Sequence, residues 1–394
     1  MAEHKRLYVL DGTALLYRAH FAMINNPLMT GSGFITSGIF GFMTALARLL
    51  KSDSPDYLAV VFDDRAKTFR HAIYTEYKAT REKMPDELAA QIEPLDQILK
   101  AMDIPLLRTP GFEADDIMGT LAVQAEARGW HTYLVTGDKD MMQLVSDHTS
   151  VHVPAYRNNP VKVYGRDEVE EKWGVPPDQM IDLLGLMGDS SDNVPGVPGV
   201  GAKTALKLIL EYGSLEEALN HADEVKNKRA REGLQNGREL ALLSKELVTI
   251  DCQVPLEINL DDLALELIRP EGALDLLKEY EIKAVVGDLL SLGAGAEPVN
   301  AGAQPVKRYA TVLTKPQLDE LRRSLDQAEW ISFDVETTGL DPLRAELVGM
   351  SFSIAPDEGW YVPILYPDKP ADSGLTLDEI IAAVGPILED PQRP

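Results

Sequence analysis

Residues 111–119 read GFEADDIMG, and they place Glu113, Asp115 and Asp116 at the start of an amphipathic helical pattern. Acidic side chains are common at a helix start, because the helix dipole and the free N–H groups there favour negative charge. One or two suffice for that purpose, and a third adds repulsion. Further acidic residues follow three apolar runs elsewhere in the chain, and these are Asp11, Asp63, Asp138 and Asp140. We therefore predict that these residues form one acidic cluster.

The apolar runs before these aspartates have the pattern of buried parallel strands. LYVL, YLAVVF and HTYLV are short, rich in Val, Leu and Tyr, and separated by helical patterns. In an open α/β sheet the site lies beyond the carboxyl ends of the strands, so the carboxylates should share one rim. Crowded carboxylates need cations, and oxygen ligands favour hard divalent ions such as Mg²⁺. The sequence thus predicts an α/β fold with a parallel central sheet and a metal site.

Composition indicates a globular protein of two or three domains. The 394 residues are 45% hydrophobic and 26% charged, and no apolar run reaches the roughly 20 residues that span a bilayer. A strand pattern begins at once, so we expect no signal peptide, and the single cysteine, Cys252, fits a reducing cytoplasm. A net charge of −25 would ordinarily disfavour a nucleic-acid partner. Binding depends on local charge, however, and metal ions would neutralise clustered carboxylates.

Residues 65–83 carry a net positive charge, whereas the chain as a whole is strongly negative. The segment RAKTFRHAIYTEYKATREK holds six Lys or Arg and two Glu, with aromatic residues such as Tyr77 between them. This mixture offers phosphate attraction and stacking faces to single-stranded nucleic acid, although a solvated helix with its aromatic side chains in the core has the same pattern. Lys78 and Arg81 are the candidate basic residues for catalysis. Arg18, which is near Asp11 in the sequence, is either a third candidate or an ordinary solvated arginine.

Residues 182–204, DLLGLMGDSSDNVPGVPGVGAKT, predict a polar turn followed by a glycine-rich hairpin between two helices. Asp189 and Asp192 lie three apart in the turn, as a second set of metal ligands would. The stretch is not a nucleotide-binding phosphate loop, because Ala202 precedes the lysine, and EF-hand spacing is absent. We expect the hairpin to bind DNA phosphates through main-chain N–H groups without reading bases. The candidate contacts are Gly196, Gly199, Gly201 and Lys203.

The remaining residues predict helices, a linker and a second domain. Residues 205–292 have helical patterns, and a stretch rich in Gly, Ala and Pro predicts a flexible linker at 293–306. In the α/β pattern that follows, Asp334 and Glu336 are two apart on a predicted strand, so they form a second candidate metal pair on one face. No later acidic cluster completes this pair, and we expect the domain to be unstable because its strands would lack covering helices.

Five stretches occur in the order found in one family, and these are LDGTALLYRAHFA, YKATREKMPDEL, GFEADD, VTGDKD and GLMGDSSDNVPGVPGVGAKTA. Over residues 5–290 the chain resembles the bacterial 5′-nucleases of the flap-endonuclease superfamily, which cut DNA at 5′ ends and flaps with two divalent metal ions. Residues 307–394 resemble the start of a 3′→5′ proofreading exonuclease with a ribonuclease H-like fold. The whole chain thus looks like the N-terminal part of the bacterial DNA polymerase I family. We expect neither proofreading nor polymerisation from these 394 residues.

The resemblance also implies roles for individual residues. The first metal would be held by Asp11, Asp63, Glu113 and Asp115. The second would be held or surrounded by Asp138, Asp140, Asp189 and Asp192, with Asp116 reaching the ions from nearby or through water. Lys78 and Arg81 match a basic pair in a helical arch, and Arg18 matches a basic residue after the first strand. The hairpin matches a helix–three-turn–helix element that holds duplex DNA, often with K⁺.

The expected domains are a catalytic domain with the arch at 1–180, a helix-hairpin-helix subdomain at 181–292, the linker, and a partial exonuclease domain at 307–394. We predict a structure-selective 5′→3′ exonuclease or flap endonuclease that acts on flaps, nicks and 5′ ends of DNA, and on RNA primer ends. Mg²⁺ is the expected cofactor, with Mn²⁺ as the alternative. The protein should be a cytoplasmic, nucleoid-associated monomer without membrane contact.

Two alternative functions remain open. A PIN-type ribonuclease shares a carboxylate rim on a parallel sheet, but such domains are usually shorter and lack the arch and the hairpin. A non-catalytic DNA-binding scaffold would use the carboxylates for structural metal only, and nine acidic residues exceed what one structural ion needs.

Overall fold

The computed structural model describes residues 5–155, 159–287, 289, 308–328, 330–339, 344–355, 358–364 and 375–390. The chain divides into two compact units, Met1–Gly295 and Ala296–Pro394, and each is described by itself. The linker predicted at 293–306 lies outside the described residues. The domain boundary predicted between residues 180 and 181 stays a prediction. Within the described ranges, no helix has the length and apolar character that crossing a membrane requires.

A six-stranded sheet lies at the centre of the first unit. Its strands are β1 (Arg6–Asp11), β2 (Tyr57–Val61), β3 (Leu106–Leu107), β4 (His131–Val135), β5 (Thr149–Val153) and β6 (Lys162–Tyr164). The order is β3-β2-β1-β4-β5-β6, in which only the β5–β6 pair is antiparallel. Asp11 pairs with Val61, and Leu10 pairs with Val135, so β1, β2 and β4 end at one edge. The predicted parallel sheet is confirmed.

Helices cover both faces of this sheet. The helices within residues 12–173 are α1 (Gly12–Ala22), α2 (Ser37–Asp53), α3 (Phe69–Ile73), α4 (Asp86–Ala89), α5 (Ile92–Ala101), α6 (Ala114–Glu126) and α7 (Arg166–Trp173). Successive side chains of a strand point to opposite faces. Val9 of β1 therefore packs in a core with Ile117 of α6, whereas Leu10 belongs to a second core with Phe42 of α2. Burial on both faces explains why the strands read as continuous apolar runs.

Residues 65–88, which include the basic pair that the resemblance assigns to a helical arch, contain the short helix α3, turns and the start of α4. After α3 the backbone becomes extended at Tyr74, Lys78 has a positive φ of 56°, and Pro85 precedes α4. These breaks interrupt the continuous helix that is the alternative interpretation of residues 65–83. The main-chain N–H of Lys78 donates to the carbonyl of Asp192 at 2.9 Å, so the turn is tied to the polar turn before the hairpin.

The remaining helices of the first unit flank and follow the glycine hairpin. They are α8 (Met180–Met187), α9 (Ala202–Tyr212), α10 (Leu215–Asn220), α11 (Lys228–Asn236), α12 (Arg238–Val248) and α13 (Leu274–Glu279). Gly196 has a φ of +63°, and a Cβ there would lie 2.6 Å from the main-chain nitrogen of Gly188. Two segments of backbone approach too closely at this point to admit a side chain. The Gly196 N–H donates to Ser244 Oγ at 2.9 Å, which joins the hairpin to α12.

The second unit contains a four-stranded sheet and two helices. Its elements are β7 (Arg308–Thr311), α14 (Lys315–Gln327), β8 (Ser332–Thr337), β9 (Leu347–Ser353), β10 (Glu358–Pro363) and α15 (Leu377–Leu388). The strand order is β7-β10-β9-β8, with β7 and β10 parallel and the other pairs antiparallel. Leu321 of α14 and Ile380 of α15 are fully buried in one core with Phe352 of β9. The expectation that these strands lack covering helices is therefore wrong, although β8 is exposed along its whole length.

Candidate active site

Carboxylates lie along the edge of the first sheet where β1, β2 and β4 end. Asp11 is the last residue of β1, and Asp63 and Asp138 follow β2 and β4. Thr136 Oγ1 donates to Asp11 Oδ2 at 2.9 Å and accepts the N–H of Asp138 at 3.1 Å. Asp63 Oδ1 accepts the N–H of Ala114 at 3.0 Å, at the start of α6. Hydrogen bonds thus join β1 to β4 and β2 to α6 at this edge.

Asp115 on the first turn of α6 faces the same group of negative charges. Burial raises its pKa well above the ordinary value, and repulsion from Asp138, Asp11 and Asp63 adds to this effect. The hydrogen bonds of Thr136 and Ala114 join the strand ends that carry Asp11, Asp63 and Asp138 to one another and to the first turn of α6. Four carboxylates from separate elements of the chain therefore lie along this edge of the sheet.

Asp11 is the most enclosed carboxylate at the end of a strand, with 6% of its surface exposed. Burial raises its pKa to about 7 even though it accepts hydrogen bonds from Ala14 and Thr136, and the charge of Asp63 acts in the same direction as burial. A carboxyl group in this environment tends to bind a proton or a cation, because the bare anion is poorly solvated.

Glu113, directly before α6, is neutralised by the basic segment. Lys78 Nζ lies 2.6 Å from Glu113 Oε1, and the Tyr77 hydroxyl donates to Oε2 at 3.0 Å. Lys78 Nζ also lies 3.7 Å from Asp192 Oδ2, and Arg81 Nη2 contacts the other oxygen of Asp192. The basic pair therefore lies between the carboxylates predicted for the first metal and those predicted for the second.

The second group of carboxylates surrounds another lysine. Lys139 Nζ contacts Asp189 Oδ2 and lies 3.8 Å from Asp140 Oδ1. Burial, followed by repulsion from Asp138, raises the pKa of Asp140 to about 7. Asp140 Oδ1 is buried and accepts no hydrogen bond from any described residue. A buried carboxylate oxygen without a hydrogen-bond donor is suited to a cation.

The chemistry of these side chains fits hard divalent ions, because all the candidate ligand atoms are carboxylate oxygens. Among the described residues, however, no three His, Cys, Asp or Glu side chains already converge on one ion position. Lys78, Arg81 and Lys139 hold several of the carboxylates instead. Binding of an ion would therefore require carboxylates to rotate and to exchange these ammonium and guanidinium groups for the metal.

Asp116 is not part of this acidic group, although its neighbour Asp115 is. Arg70 donates to both Asp116 oxygens at 2.8 Å, and the same oxygens accept the N–H groups of Glu113 and Asp251 at 3.0 and 2.9 Å. Four N–H donors occupy the acceptor positions of this fully buried carboxylate. The carboxylate has no free acceptor position in this structure, and the prediction that Asp116 reaches the ions from nearby or through water stays a prediction.

Arg18 binds main-chain carbonyls beyond the end of β5. Its guanidinium donates to the main-chain carbonyls of Pro154, at 2.8 Å, and Ala155. These carbonyls follow β5, so Arg18 ties α1 to the end of that strand. This placement does not support the prediction of a catalytic role.

Tyr77 is a core residue rather than a stacking face. Its side chain is 4% exposed, and its hydroxyl donates to Glu113 and Asp192. The prediction of a DNA contact through its ring is wrong here, and the alternative of an aromatic side chain in the core applies to this residue.

The glycine hairpin presents main chain at the start of α9. Gly201 precedes the helix, and both Gly201 and Lys203 are exposed. The first N–H groups of a helix have no intrahelical acceptor and attract anions. Gly199 is exposed and has a φ of +84°. It is therefore accessible to DNA, as the predicted contact requires. Gly196 is buried with its N–H bound to Ser244, so it shapes the turn and the predicted contact through it is wrong.

The acidic pair of the second unit remains incomplete. Asp334 and Glu336 occupy alternate, exposed positions of β8, and Asp334 Oδ1 accepts the N–H of Val335 at 2.9 Å. No third potential ligand joins them in the part of this unit that the structure describes.

Two residues that organise the site were not singled out by sequence reasoning. Arg70 appeared only as one of six basic residues in its segment, and nothing in the pattern distinguishes the buried arginine from the exposed ones. Thr136 precedes GDKD directly, yet a threonine at a strand end is too common to indicate a link between two carboxylates.

Three family models match consecutive parts of the chain. The model described as 5′-3′ exonuclease, N-terminal resolvase-like domain, matches residues 6–174. The model of the 5′-3′ exonuclease C-terminal SAM fold matches residues 175–271, and that of a 3′-5′ exonuclease matches residues 309–394.

Two curated relatives illustrate the likeness in sequence. DNA polymerase I of Pseudomonas aeruginosa is 38% identical over 397 residues, which covers 98% of this chain and 43% of the relative. DNA polymerase I of Bacillus subtilis is 40% identical over 298 residues, which covers 75% of this chain and 34% of the relative. The chain thus spans less than half the length of these relatives.

Two solved structures share the fold. Bacteriophage T5 5′-exonuclease with bound zinc ions has a TM-score of 0.52 at 24% identity, over 73% of this chain and 100% of that one. A bacteriophage T5 flap endonuclease in a pseudo-enzyme-product complex with DNA and metal ions has a TM-score of 0.52 at 22% identity, over 74% and 100%. With both nuclease domains matched over 6–271 and a 3′-5′ exonuclease domain after them, the chain belongs to the 5′-3′ exonuclease family, in the arrangement of the N-terminal part of DNA polymerase I.

Proposed function

We propose that the first unit is a structure-selective 5′→3′ exonuclease and flap endonuclease that hydrolyses phosphodiester bonds of DNA with two divalent ions. The observation that carries this proposal is the placement of Asp11, Asp63, Asp115 and Asp138 at one sheet edge, where hydrogen bonds join β1 to β4 and β2 to the start of α6. Membership of the 5′-3′ exonuclease family supports the reaction. The DNA and metal ions bound to the T5 flap endonuclease support the same partners for this chain.

Mg²⁺ is the proposed ion, with Mn²⁺ as a substitute. Asp11, Asp63, Glu113 and Asp115 would hold the first ion, and the second would be held by Asp138, Asp140, Asp189 and Asp192. Bound divalent ions lower the pKa of water and stabilise negative charge on phosphate oxygens.

The basic pair would act on the scissile phosphate. Lys78 and Arg81 are paired with Glu113 and Asp192 in this structure, and metal binding at these carboxylates would release both cations. Both cations would then be available to the scissile phosphate, and positive charge near developing negative charge lowers the barrier to hydrolysis. Asp116 and Arg70 would hold the start of α6 in place without touching substrate.

The hairpin would hold duplex DNA behind the cut. Main-chain N–H groups near Gly201 and the ammonium of Lys203 bind phosphates, with K⁺ as a proposed additional ion, so recognition depends on backbone shape rather than base sequence. We propose flaps, nicks, 5′ ends and RNA primer ends as substrates, and a cytoplasmic, nucleoid-associated monomer as the active form. By extension from the relatives, the parent protein would be a DNA polymerase that uses this nuclease in primer removal and nick translation.

Asp115→Asn tests the catalytic role of the carboxylates. It should abolish cleavage of a 5′-flap duplex while duplex affinity stays within about threefold, because hairpin contacts supply the binding. Asp167→Asn on α7, with an exposed carboxylate, is the matched control and should cleave normally. Wild-type protein that binds the flap and never cuts it would favour the scaffold alternative. Preferential cleavage of single-stranded RNA would favour the PIN-type alternative.

A further inference from the structure

A cavity of about 280 Å³ lies in the first unit, beside the sheet, and none of the nine carboxylates predicted as metal ligands lines it. Leu10 and Val135, from the two central strands, line it together with Ala19 of α1 and Ala45 of α2. These small and branched apolar side chains leave a gap between the two helices. An apolar cavity with a few polar groups is the usual form of a small-molecule site.

His152 on β5 is the buried polar group of this cavity. Its side chain is 3% exposed, and neither ring nitrogen has a hydrogen-bond partner among the described residues. The nearest charge is Asp53 Oδ1, 3.9 Å from Nε2, which is too far for a hydrogen bond. Burial lowers the pKa of His152, so the neutral ring offers one donor and one acceptor. Leaving buried polar atoms unpaired is costly, so this ring is suited to a ligand that pairs with it.

Arg48 on α2 adds a positive charge to the cavity wall. It is exposed and forms no hydrogen bond or ion pair with any described residue. A ligand matched to His152 and Arg48 would therefore combine an apolar ring that carries hydrogen-bonding atoms with an anionic group. Asp53 and Arg18 also line the cavity. Guanidinium groups bind phosphate and carboxylate in a well-defined fork geometry.

We infer that this cavity binds a nucleoside monophosphate, with the base against the apolar walls and His152 and the phosphate at Arg48. A nucleobase carries donor and acceptor atoms on one edge, as the neutral imidazole requires. The choice of a nucleotide among aromatic anions rests on the proposed function, because a 5′→3′ exonuclease releases mononucleotides. The cavity itself, with its buried unpaired imidazole, does not depend on that function.

Calorimetric titration of the full chain with thymidine 5′-monophosphate tests this inference. EDTA is present throughout, so that binding is measured without metal-dependent cleavage. We expect saturable binding with a dissociation constant of about 1 mM or tighter. Thymidine alone and deoxyribose 5-phosphate alone should each bind at least about tenfold more weakly, because each lacks one half of the recognition. Equal binding of the sugar phosphate, or no saturation by roughly 10 mM nucleotide, would overturn the inference.

Two variants assign the binding to this cavity. His152→Leu and Arg48→Gln should each weaken nucleotide binding about tenfold, whereas Lys51→Gln, on the same helix but outside the cavity, should leave it unchanged. His152→Leu should melt no lower than wild type, because it removes unpaired buried nitrogens. Arg48 is exposed, so its variant tests binding even if His152→Leu does not fold. Unchanged affinity in Arg48→Gln would overturn the assignment. Flap cleavage assayed separately with Mg²⁺ distinguishes failure of this inference from failure of the proposed nuclease.

Discussion

Asp115 and Asp116 are adjacent and chemically identical, yet they do different things. Successive helical residues are turned by about 100°, so one aspartate faces the acidic edge of the sheet while the other faces the interior. Asp115 meets other carboxylates there, whereas Asp116 meets Arg70 and two main-chain N–H groups. The sequence predicts an acidic cluster at this place. It does not indicate which aspartate is paired, because the partners come from residues 70 and 251.

Removing Asp116 should destabilise the protein strongly. Asp116→Ala leaves the buried guanidinium of Arg70 without its carboxylate, and breaking a buried pair of this kind costs about 3–5 kcal/mol of unfolding free energy. Urea unfolding in EDTA measures the loss. Lys83→Ala breaks the exposed pair with Asp86 and should change stability very little. A similar small change in both variants would contradict a structural role for Asp116.

The raised pKa values of Asp11 and Asp140, both about 7, predict a pH-dependent stability. An unfolded aspartate ionises near pH 3.9, so above that pH the folded protein holds protons that the unfolded chain has lost. The stabilisation from these bound protons is complete below about pH 4 and is lost as pH rises through about 7. The free energy of unfolding falls by an amount on the order of a few kcal/mol over this range. In EDTA, the free energy of unfolding should therefore fall across this window.

Asp11→Asn isolates this effect from the other titrating groups. Asparagine also caps a helix, so the variant should fold while its unfolding free energy falls less than that of wild type between about pH 5 and about pH 8. Urea unfolding at both pH values measures the difference. Identical pH dependence in wild type and variant would contradict the raised pKa of Asp11.

The strands and most helices could be predicted from the residue pattern, whereas the turns could not. The runs that became β1, β2 and β4 are buried on both faces, so their sequence alone indicates parallel strands. A solvated helix is one interpretation of residues 65–83, but Lys78 adopts a positive φ and its N–H donates to the carbonyl of Asp192. That hydrogen bond joins segments more than a hundred residues apart, so it cannot be predicted from the local pattern of residues.

The glycine hairpin should depend on Gly196 more than on an ordinary turn glycine. Gly196→Ala introduces both a strained φ of +63° and a Cβ 2.6 Å from the Gly188 nitrogen. Gly213→Ala has a φ of +87° with open space around the Cβ, so it is the matched control and should cost only about 1 kcal/mol of strain. We expect a larger loss of stability and of duplex affinity for Gly196→Ala, measured by thermal melting and fluorescence anisotropy. Equal effects would show that close backbone approach is unimportant there.

Across the whole molecule, the sequence predicted two α/β regions, and the structure has a compact unit for each. The second region was misjudged in one respect, because the leucines of α14 and the isoleucines of α15 do cover its sheet. The placement of the candidate carboxylates at one edge of the first sheet could be predicted, since strand ends and their aspartates can be read directly. The pairing of Lys78, Arg81 and Lys139 with carboxylates could not be read, because it depends on side-chain distances across the fold.

The central claim is that this acidic edge is a metal-dependent nuclease centre. The most direct measurement is cleavage of a 5′-flap duplex, labelled in turn at each end, with Mg²⁺ and with EDTA. We predict release of short 5′ products near the junction with Mg²⁺ and none with EDTA. Substrate that stays bound and uncut with both Mg²⁺ and Mn²⁺ would contradict the account.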